Sequence, residues 1–534
     1  MNKSMTLHTT RLCAALSLAL AAWGAQAADT TRVIVSYQSM ESAASVRAAA
    51  QQLGGVLKVD LSHVRAMAIE VPTARLAALR KVPGVVLVEV DQKRELVPHV
   101  ATTLSADMAD AAMDAMRGDG PLRQRLPYGI KQAQGKNVPG SDAPPITVCI
   151  IDTGLDRTHP DLPGADATGN FDPGGAGNWY DVDNPHGTHV AGTVAAVDNE
   201  IGVIGIAGRG EVRLHILKVF TGDAWSYSST LSAATQECKA AGAKVISMSL
   251  RGLFPNNAER ENFAQLERDG LISVAAAGND GAQINGYPAS YPSVISVAAV
   301  DINSNWASFS NRNSQVELSA AGVNVASTMP VGAGGLMGSL RQAGSGYGAI
   351  PLEGSPQTGI DTPVIAATYD FGLGEAIDAG AAGKTCVILR GVNAFSAKVL
   401  NCQNSGGVAA VIYNNAPGNF NGTLGGVATT IPSVSISDVD GAAMKAAVPA
   451  VARMRVAAVD YGYLSGTSMS TPHVSGVAAK LWRLHPECSN TEIRASLDNS
   501  ALDLGDPGRD VRTGFGLVQL RTAHERINTM GCGN

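Results

Sequence analysis

The chain has 534 residues, of which 45% are hydrophobic and 16% charged, with 59 glycines and only 5% aromatic side chains. That length exceeds one ordinary core and that apolar content excludes a disordered chain, so two or three globular units are expected. Forty basic residues against 46 acidic ones leave a net charge of −6, with no basic run and no stripe of stacking aromatics, which removes the electrostatic case for nucleic acid.

Lys3 and Arg11 precede an apolar run at 12–23 and the small-residue site Ala25-Gln26-Ala27, the order of an export signal, with removal of 1–27 expected. A membrane anchor would want a longer span of about 20 apolar residues. The expected product is a secreted, extracellular protein without an anchor. Cys13 leaves with the signal, and the six remaining cysteines form no CxxC or Cys/His cluster of the zinc type. An even, scattered set in an exported chain suits disulfides. Local pairing is expected for Cys386–Cys402 and Cys488–Cys532, leaving Cys149–Cys238, although other pairings stay open.

Residues 31–37 (TRVIVSY), 66–71 and 85–90 read as strands, and 43–53 and 73–81 as helices. Two βαβ-like units over 28–96 predict a small α+β sheet with helices on one side. Residues 97–124, rich in Ala, Asp and Met, read as an exposed processing linker. A small domain and a soft linker behind an export signal look like a propeptide.

The body opens near Pro127, in a first part spanning 125–330. The run 146–151 (ITVCII) ends at Asp152, as a strand buried on both faces would. Similar runs recur at 212–219, 244–250, 271–276 and 294–300, with helical patterns at 229–241 and 258–269. Alternation of this kind predicts an α/β fold, a mostly parallel sheet flanked by helices, with functional loops at the carboxyl ends of its strands. From about 330 the texture changes to a Gly-rich loop, short strand candidates at 385–389, 408–413 and 431–436, and a short helix at 438–447. A small, mainly β unit is therefore expected as an insertion over 331–457, with the body resuming over 458–534.

Four segments carry chemistry. Asp152 ends a buried strand before Thr153-Gly154, placed to orient an imidazole, although a strand-terminal Asp alone is more often a turn or helix cap. His186 begins a Gly- and Ala-rich helix in NPHGTHVAGT (184–193) and is suited to take a proton from a hydroxyl. His189 lies beside it without a third metal ligand and reads as a packed neighbour. Ser468 in SGTSMSTPHVSG (465–476) falls at a helix amino end, where free amides receive negative charge, and its ordinary use there is as a cap. Asn279 in VAAAGNDG (274–281) turns a side-chain amide toward the same edge. The coincidence of the four outweighs each ordinary reading.

Together these motifs resemble the subtilisin-like serine proteases, whose order is Asp, His, Ser. Asp152-Thr153-Gly154, His186-Gly187-Thr188-His189 and Gly466-Thr467-Ser468-Met469-Ser470 match the family's acid, base and nucleophile, and Gly278-Asn279 its oxyanion donor. The resemblance runs from Pro127-Tyr128-Gly129-Ile130 to Ser327 and again from Gly462 to about Leu517. It implies that Ser249-Leu250 and Ala276-Ala277-Gly278 are the backbone edges along which an extended substrate adds as a strand. Arg251 stands where the family usually has glycine; it either narrows the entrance or attracts acidic residues near the cleaved bond, against the alternative of a solvent-facing arginine with no selectivity role. Trp225 and Tyr227 correspond to an aromatic wall for a residue farther upstream in the substrate.

The same resemblance implies a calcium site formed by Gln124, Asp161, Val197, Asn199, Ile201 and Val203, whose oxygens suit a hard Ca2+ ion, against the alternative of an ion-free acidic loop. It also implies an amino-terminal inhibitor domain acting on its own body, and an inserted protease-associated domain marked by 383–391, Gln403-Asn404-Ser405-Gly406-Gly407 and Ile431-Pro432-Ser433. That insert either admits protein substrates or is passive. The function expected is a secreted serine endopeptidase, monomeric, acting on proteins. The alternative is a catalytically silent secreted binding protein, and an ester hydrolase is disfavoured because Ser468 lacks the Gly-x-Ser-x-Gly elbow.

Overall fold

The computed structural model describes residues 29–97, 104–114, 124–172, 175–221, 225–332 and 336–534; the expected export signal and the stretches 98–103 and 115–123 of the linker lie outside them.

The body is built on a seven-stranded sheet in the spatial order Val316–Ala321, Val294–Val300, Ile272–Ala276, Val245–Met248, Ile146–Asp152, Val212–Lys218, Thr168–Gly169. Every pairing in it is parallel. The strands read as continuous apolar runs because both faces are covered, and alternate residues serve opposite cores. Val148 and Ile150 pack with Val190, Val194, Val474 and Val477 on one side. Cys149 and Ile151 pack with Leu231, Phe263 and Leu266 on the other. The helices His186–Ala195 and Thr467–Leu484 thus share one face, and Ser228–Ala240 and Asn257–Arg268 the opposite one. The Ile146–Asp152 strand lies between Val212–Lys218 and Val245–Met248, so the chain changes direction across the sheet at this strand. Such a switch point opens a crevice at the carboxyl ends.

Three disulfides join Cys149 to Cys238, Cys386 to Cys402 and Cys488 to Cys532. The first ties the central strand to the helix Ser228–Ala240.

The amino-terminal sheet differs from the two βαβ units expected. It has four strands in the order Val56–Leu61, Ala66–Pro72, Thr30–Tyr37, Val85–Val90, all antiparallel. Val56–Leu61, absent from the strands expected, alternates exposed Val56, Lys58 and Asp60 with half-buried Leu57 and Val59 and buried Leu61, a period of two that its polar residues follow. The second helix shrinks to a 3₁₀ turn, Thr73–Arg75, and one α-turn, Leu76–Leu79. One face of this sheet covers its own helix Met40–Gln52, and the other sets Ile34, Leu61, Ala66 and Ala68 against Ala258 of the body. Asp91 reinforces this contact at the amino end of Ser228–Ala240, accepting from Ser229 N–H at 3.0 Å and Ser228 Oγ at 2.8 Å.

The linker is not an exposed connector throughout. Val97 is fully buried, and Ala106–Asp114 forms a helix. Ala109 and Met113 of that helix pack on Met337, Ala457 and Val459. Asp110 accepts from Ser339 Oγ at 2.6 Å and Arg341 Nε at 2.7 Å and is ion-paired with Arg455. Between Leu336 and Ala458 runs an eight-stranded mixed sheet, whose strands Val364–Asp370, Thr385–Leu389, Ala409–Tyr413 and Ser433–Ile436 pair in parallel. The Cys386–Cys402 bond pins the helix Phe395–Asn404 to it.

Candidate active site

Asp152 is buried at the carboxyl end of its strand and accepts from Thr153 N–H at 2.8 Å. The next two residues explain the motif. Gly154 has φ +104°, and a Cβ there would stand 2.8 Å from the Trp179 carbonyl oxygen. Thr153 Oγ1 donates to Asn184 O and accepts from Gly187 N–H, at 3.1 and 2.9 Å. The strand end is thereby laced to the start of the helix His186–Ala195. Gly187 permits the approach, since a Cβ on it would meet Gly154 O at 2.2 Å and Asp152 Oδ1 at 3.1 Å.

His186 Nδ1 lies 2.8 and 3.0 Å from the two Asp152 carboxylate oxygens. With that nitrogen holding the proton, Nε2 carries the lone pair, and among the described residues Nε2 has no hydrogen-bond partner. His189 is fully enclosed; its Nε2 contacts Val325 O at 2.9 Å, and burial pushes its pKa down to about 3, which keeps it neutral.

Ser468 is the second residue of Thr467–Leu484. The entry to that helix is crowded: Gly466 would, with a Cβ, stand 2.7 Å from Asn279 Nδ2. Thr467 N–H and Thr467 Oγ1 both donate to Asn279 Oδ1 at 2.9 Å. Two donors on the oxygen assign the amide's orientation and leave Nδ2 as its donor end, beside the nucleophile's backbone. Ser249 Oγ donates to Ser468 O at 2.8 Å. Ser468 Oγ itself donates to Val97 O at 3.3 Å and reaches Ser249 O at 3.4 Å.

Val97 ends a segment that fills the crevice. Lys93–Leu96 pairs antiparallel with Leu250–Arg251 on one side and Trp225–Tyr227 on the other, and Val97 N–H donates to Ser249 O at 3.4 Å. Ala276 ends the strand Ile272–Ala276, and Ala277 and Gly278 follow it; Gly278 N–H donates to Thr467 Oγ1 at 3.2 Å, and among the described residues these three have no ladder to the segment. Arg251 does not face solvent. It is 7% exposed, and its Nη2 lies 2.8 Å from Asp280 Oδ1 and 3.7 Å from Glu95 Oε1 of the segment. The Trp225 ring carries Lys93 Nζ 3.9 Å from its centroid, and Tyr227 carries the guanidinium of Arg32 at 4.0 Å.

A second polar cluster lies beside the His186 helix. Gln124 Nε2 donates to Val203 O at 2.8 Å and to Val197 O, and reaches Asn199 Oδ1 at 3.5 Å. Asn199 Oδ1 also accepts from Ile201 N–H at 3.1 Å, and Asp161 Oδ2 from Val203 N–H at 2.9 Å. Asp161 Oδ1 is buried with no hydrogen-bond partner among the described residues, and burial pushes this carboxyl up to about 8, although Val203 N–H, the Tyr461 hydroxyl and the Asn199 side chain oppose the rise. An unpaired carboxylate oxygen among backbone carbonyls and an amide is a donor set that fits a hard cation. The group Glu487, Cys488 and Cys532 also brings potential ligands together, but both sulfurs are consumed by the disulfide.

Thr153, Thr467 and Tyr461 were not singled out from the sequence. The two threonines lie inside the recognised motifs, where only their neighbours' roles were legible; nothing adjacent in sequence marks Tyr461.

An acid, an imidazole and a hydroxyl gathered at the carboxyl edge of a parallel sheet, beside an amide donor, define a serine hydrolase of the α/β class. Residues 144–350 and 407–516 match the subtilase family model, 357–444 the PA domain, and 16–91 the peptidase inhibitor domain model. Subtilisin E of Bacillus subtilis (strain 168) is 32% identical over 300 residues, 55% of this chain and 71% of that protein. Subtilisin DY of Bacillus licheniformis is 40% identical over 218 residues, 39% of this chain and 76% of that one. Among solved structures, the psychrophilic subtilisin-like protease Apa1 from Pseudoalteromonas sp. AS-11 is 35% identical with a TM-score of 0.57, covering 76% of this chain and 99% of its own. Fervidolysin from Fervidobacterium pennivorans, at 22% identity and TM-score 0.58 over 93% of this chain and 61% of its own, shares the fold.

The chain belongs to the subtilase family. It is a subtilisin-like serine endopeptidase with an inserted PA domain and an amino-terminal inhibitor-like domain. Similarity to subtilisins is consistent with export, and no helix among the described residues is long and apolar enough to cross a membrane.

Proposed function

We propose that Ser468, His186 and Asp152 hydrolyse peptide bonds of proteins through an acyl-enzyme, outside the cell. The Ser468 oxygen attacks the carbonyl carbon while His186 Nε2 takes the hydroxyl proton, and Asp152 accepts from Nδ1–H of the imidazolium that forms. The tetrahedral oxyanion receives hydrogen bonds from Asn279 Nδ2 and from Ser468 N–H at the helix amino end. Collapse of this intermediate breaks the C–N bond, with the proton passing from His186 to the leaving amine. Water then repeats the sequence to release the acid.

One observation carries the reading: Lys93–Val97 lies in the crevice as an added strand with its last carbonyl against the Ser468 hydroxyl. A protein substrate is expected on the same track, between Ser249, Leu250 and Arg251 on one side and Trp225–Tyr227 on the other, with Ala276–Gly278 as the second backbone edge of the pocket at the cleaved bond. The amino-terminal domain, residues 28–96, then acts as an intramolecular inhibitor, with 97–124 as the processed linker and 331–457 as the insertion. Export implies loss of 1–27.

Gln124, Asp161, Val197, Asn199, Ile201 and Val203 are proposed to hold a calcium ion, with the Gln124 amide turned over so that Oε1, instead of the Nε2 that now donates to Val197 O and Val203 O, faces the ion. The ion would neutralise the buried Asp161 carboxylate and stabilise the folded state by mass action. The chain's own residues do the chemistry.

The test compares the mature protein with Ser468→Ala on denatured casein and on a fluorophosphonate probe. Cleavage and labelling by the unaltered protein alone are expected; equal inertness of both would favour the silent binding protein.

A further inference from the structure

The segment in the crevice alternates along its length: Lys93 and Glu95 point outward, Arg94 and Leu96 into the body. Arg94 is completely enclosed. Its Nε donates to Glu259 Oε1 at 2.9 Å, its Nη2 is ion-paired with Glu259 Oε2 and donates to Phe254 O at 3.2 Å, and its Nη1 caps the Lys93 carbonyl at 2.8 Å.

Glu259 is built to receive it. The residue stands in the first turn of Asn257–Arg268, whose cap Asn256 accepts its backbone N–H at 3.1 Å, so the helix amino end favours the carboxylate. The Tyr291 hydroxyl donates to Glu259 Oε2 at 2.6 Å while accepting from Asn256 N–H at 2.8 Å. Among the described residues, the body itself supplies no cation to this fully buried carboxylate; Arg94 is its only charged partner. Gly252 keeps the entrance open, since a Cβ there would stand 2.4 Å from Arg94 Nη1.

With Val97 contributing the carbonyl at Ser468, Arg94 is the fourth residue upstream of that bond. We propose that Glu259, at the floor of a pocket completed by Tyr291, Phe254 O and Gly252, selects proteins carrying arginine at the fourth position before the cleaved bond. This rests on the reading of Lys93–Val97 as marking the substrate track. Arginine exceeds lysine here because the planar fork meets both carboxylate oxygens and the Phe254 carbonyl together, which a single ammonium cannot do. An uncharged residue would leave the carboxylate buried without a counter-charge, and an acidic one would oppose it directly. A merely structural pair would hold the amino-terminal domain in place and leave the choice of short substrates untouched.

The test uses acetylated pentapeptide p-nitroanilides of sequence KRELV, with the arginine kept or exchanged for lysine, alanine or glutamate, on the mature protein. Expected is a fall in kcat/KM of at least about 100-fold for alanine, more for glutamate, and an intermediate loss for lysine. Alanine within threefold of arginine would overturn the proposal while leaving the protease reading intact. Glu259→Gln, if folded by circular dichroism, should lose most of the arginine preference while still cleaving the alanine peptide; retention of the preference would also overturn the proposal. If it does not fold, the series on the unaltered protein decides. Calorimetry of the acetylated KRELV and KAELV acids on Ser468→Ala separates binding from catalysis. Tighter binding of the arginine peptide supports the pocket even without turnover, and equal binding rejects it.

Discussion

The Ser468 hydroxyl donates to the carbonyl oxygen of Val97, 371 positions earlier in the chain, so the uncut protein presents one of its own peptide groups to its nucleophile. Inhibitor and substrate thus share one track, and what the chain places there bears on both maturation and specificity.

The residue after Val97 is Pro98. Its ring fixes φ and leaves no N–H on the departing side. Cleavage of the Val97–Pro98 bond is therefore expected to be slow, and Pro98→Ala should speed it by an order of magnitude or more. Intact mass spectrometry of freshly refolded protein measures the rate; no acceleration would place the first cut elsewhere for reasons other than proline.

Asn279→Ala removes one oxyanion donor and, with it, the acceptor of Thr467 N–H and Thr467 Oγ1 at the helix entry. A loss of about 3 kcal/mol in transition-state stabilisation is expected, the known cost of the corresponding donor in subtilisin, a member of this family. It should appear as a fall of about 100-fold in kcat with KM nearly unchanged. A change confined to KM would assign Asn279 to ground-state binding.

Gly187→Ala places a methyl group 2.2 Å from Gly154 O and beside the Asp152 carboxylate. The His186 helix must shift, with a destabilisation of about 1–3 kcal/mol. Thermal unfolding measures the loss, and kcat should fall with it because the His186–Asp152 contact is displaced. An unchanged midpoint and full activity would contradict the packing described.

Chelation should shorten the lifetime of the mature protein at elevated temperature if Asp161 and its neighbours hold calcium. Added calcium should restore the lifetime, and Asp161→Asn should abolish the difference. Equal lifetimes with and without chelator in the unaltered protein would reject the site.

Asp110 anchors the linker helix on the inserted domain. Burial opposes its ionisation, but hydrogen bonds from Arg455, Ser339 and Arg341 outweigh that and hold its pKa below the usual carboxylate range. A depressed carboxyl stabilises docking above its unfolded pKa of about 3.9, and the contribution is lost as pH falls through the folded value. Docking should therefore persist at neutral pH and weaken below about pH 4. Asp110→Asn should raise hydrogen exchange across 104–114 at pH 7 toward the acid value of the unaltered chain; unchanged protection would show that Ala109 and Met113 suffice.

By itself, the sequence determined the α/β body, its strand runs and the three motifs at Asp152, His186 and Ser468. Each rests on local information: apolar runs that only a doubly covered strand needs, and glycines wherever backbones nearly touch. Tertiary structure alone decided that the amino-terminal strands pair antiparallel, because period-two burial reports which face is covered and not which neighbour is bonded. It also decided that the linker helix docks, that Arg251 turns inward to Asp280, and that Arg94 meets Glu259 across 165 positions. A charged side chain reads in sequence as solvent-facing, and only the arrangement of distant segments places its counter-ion within reach in a dry site.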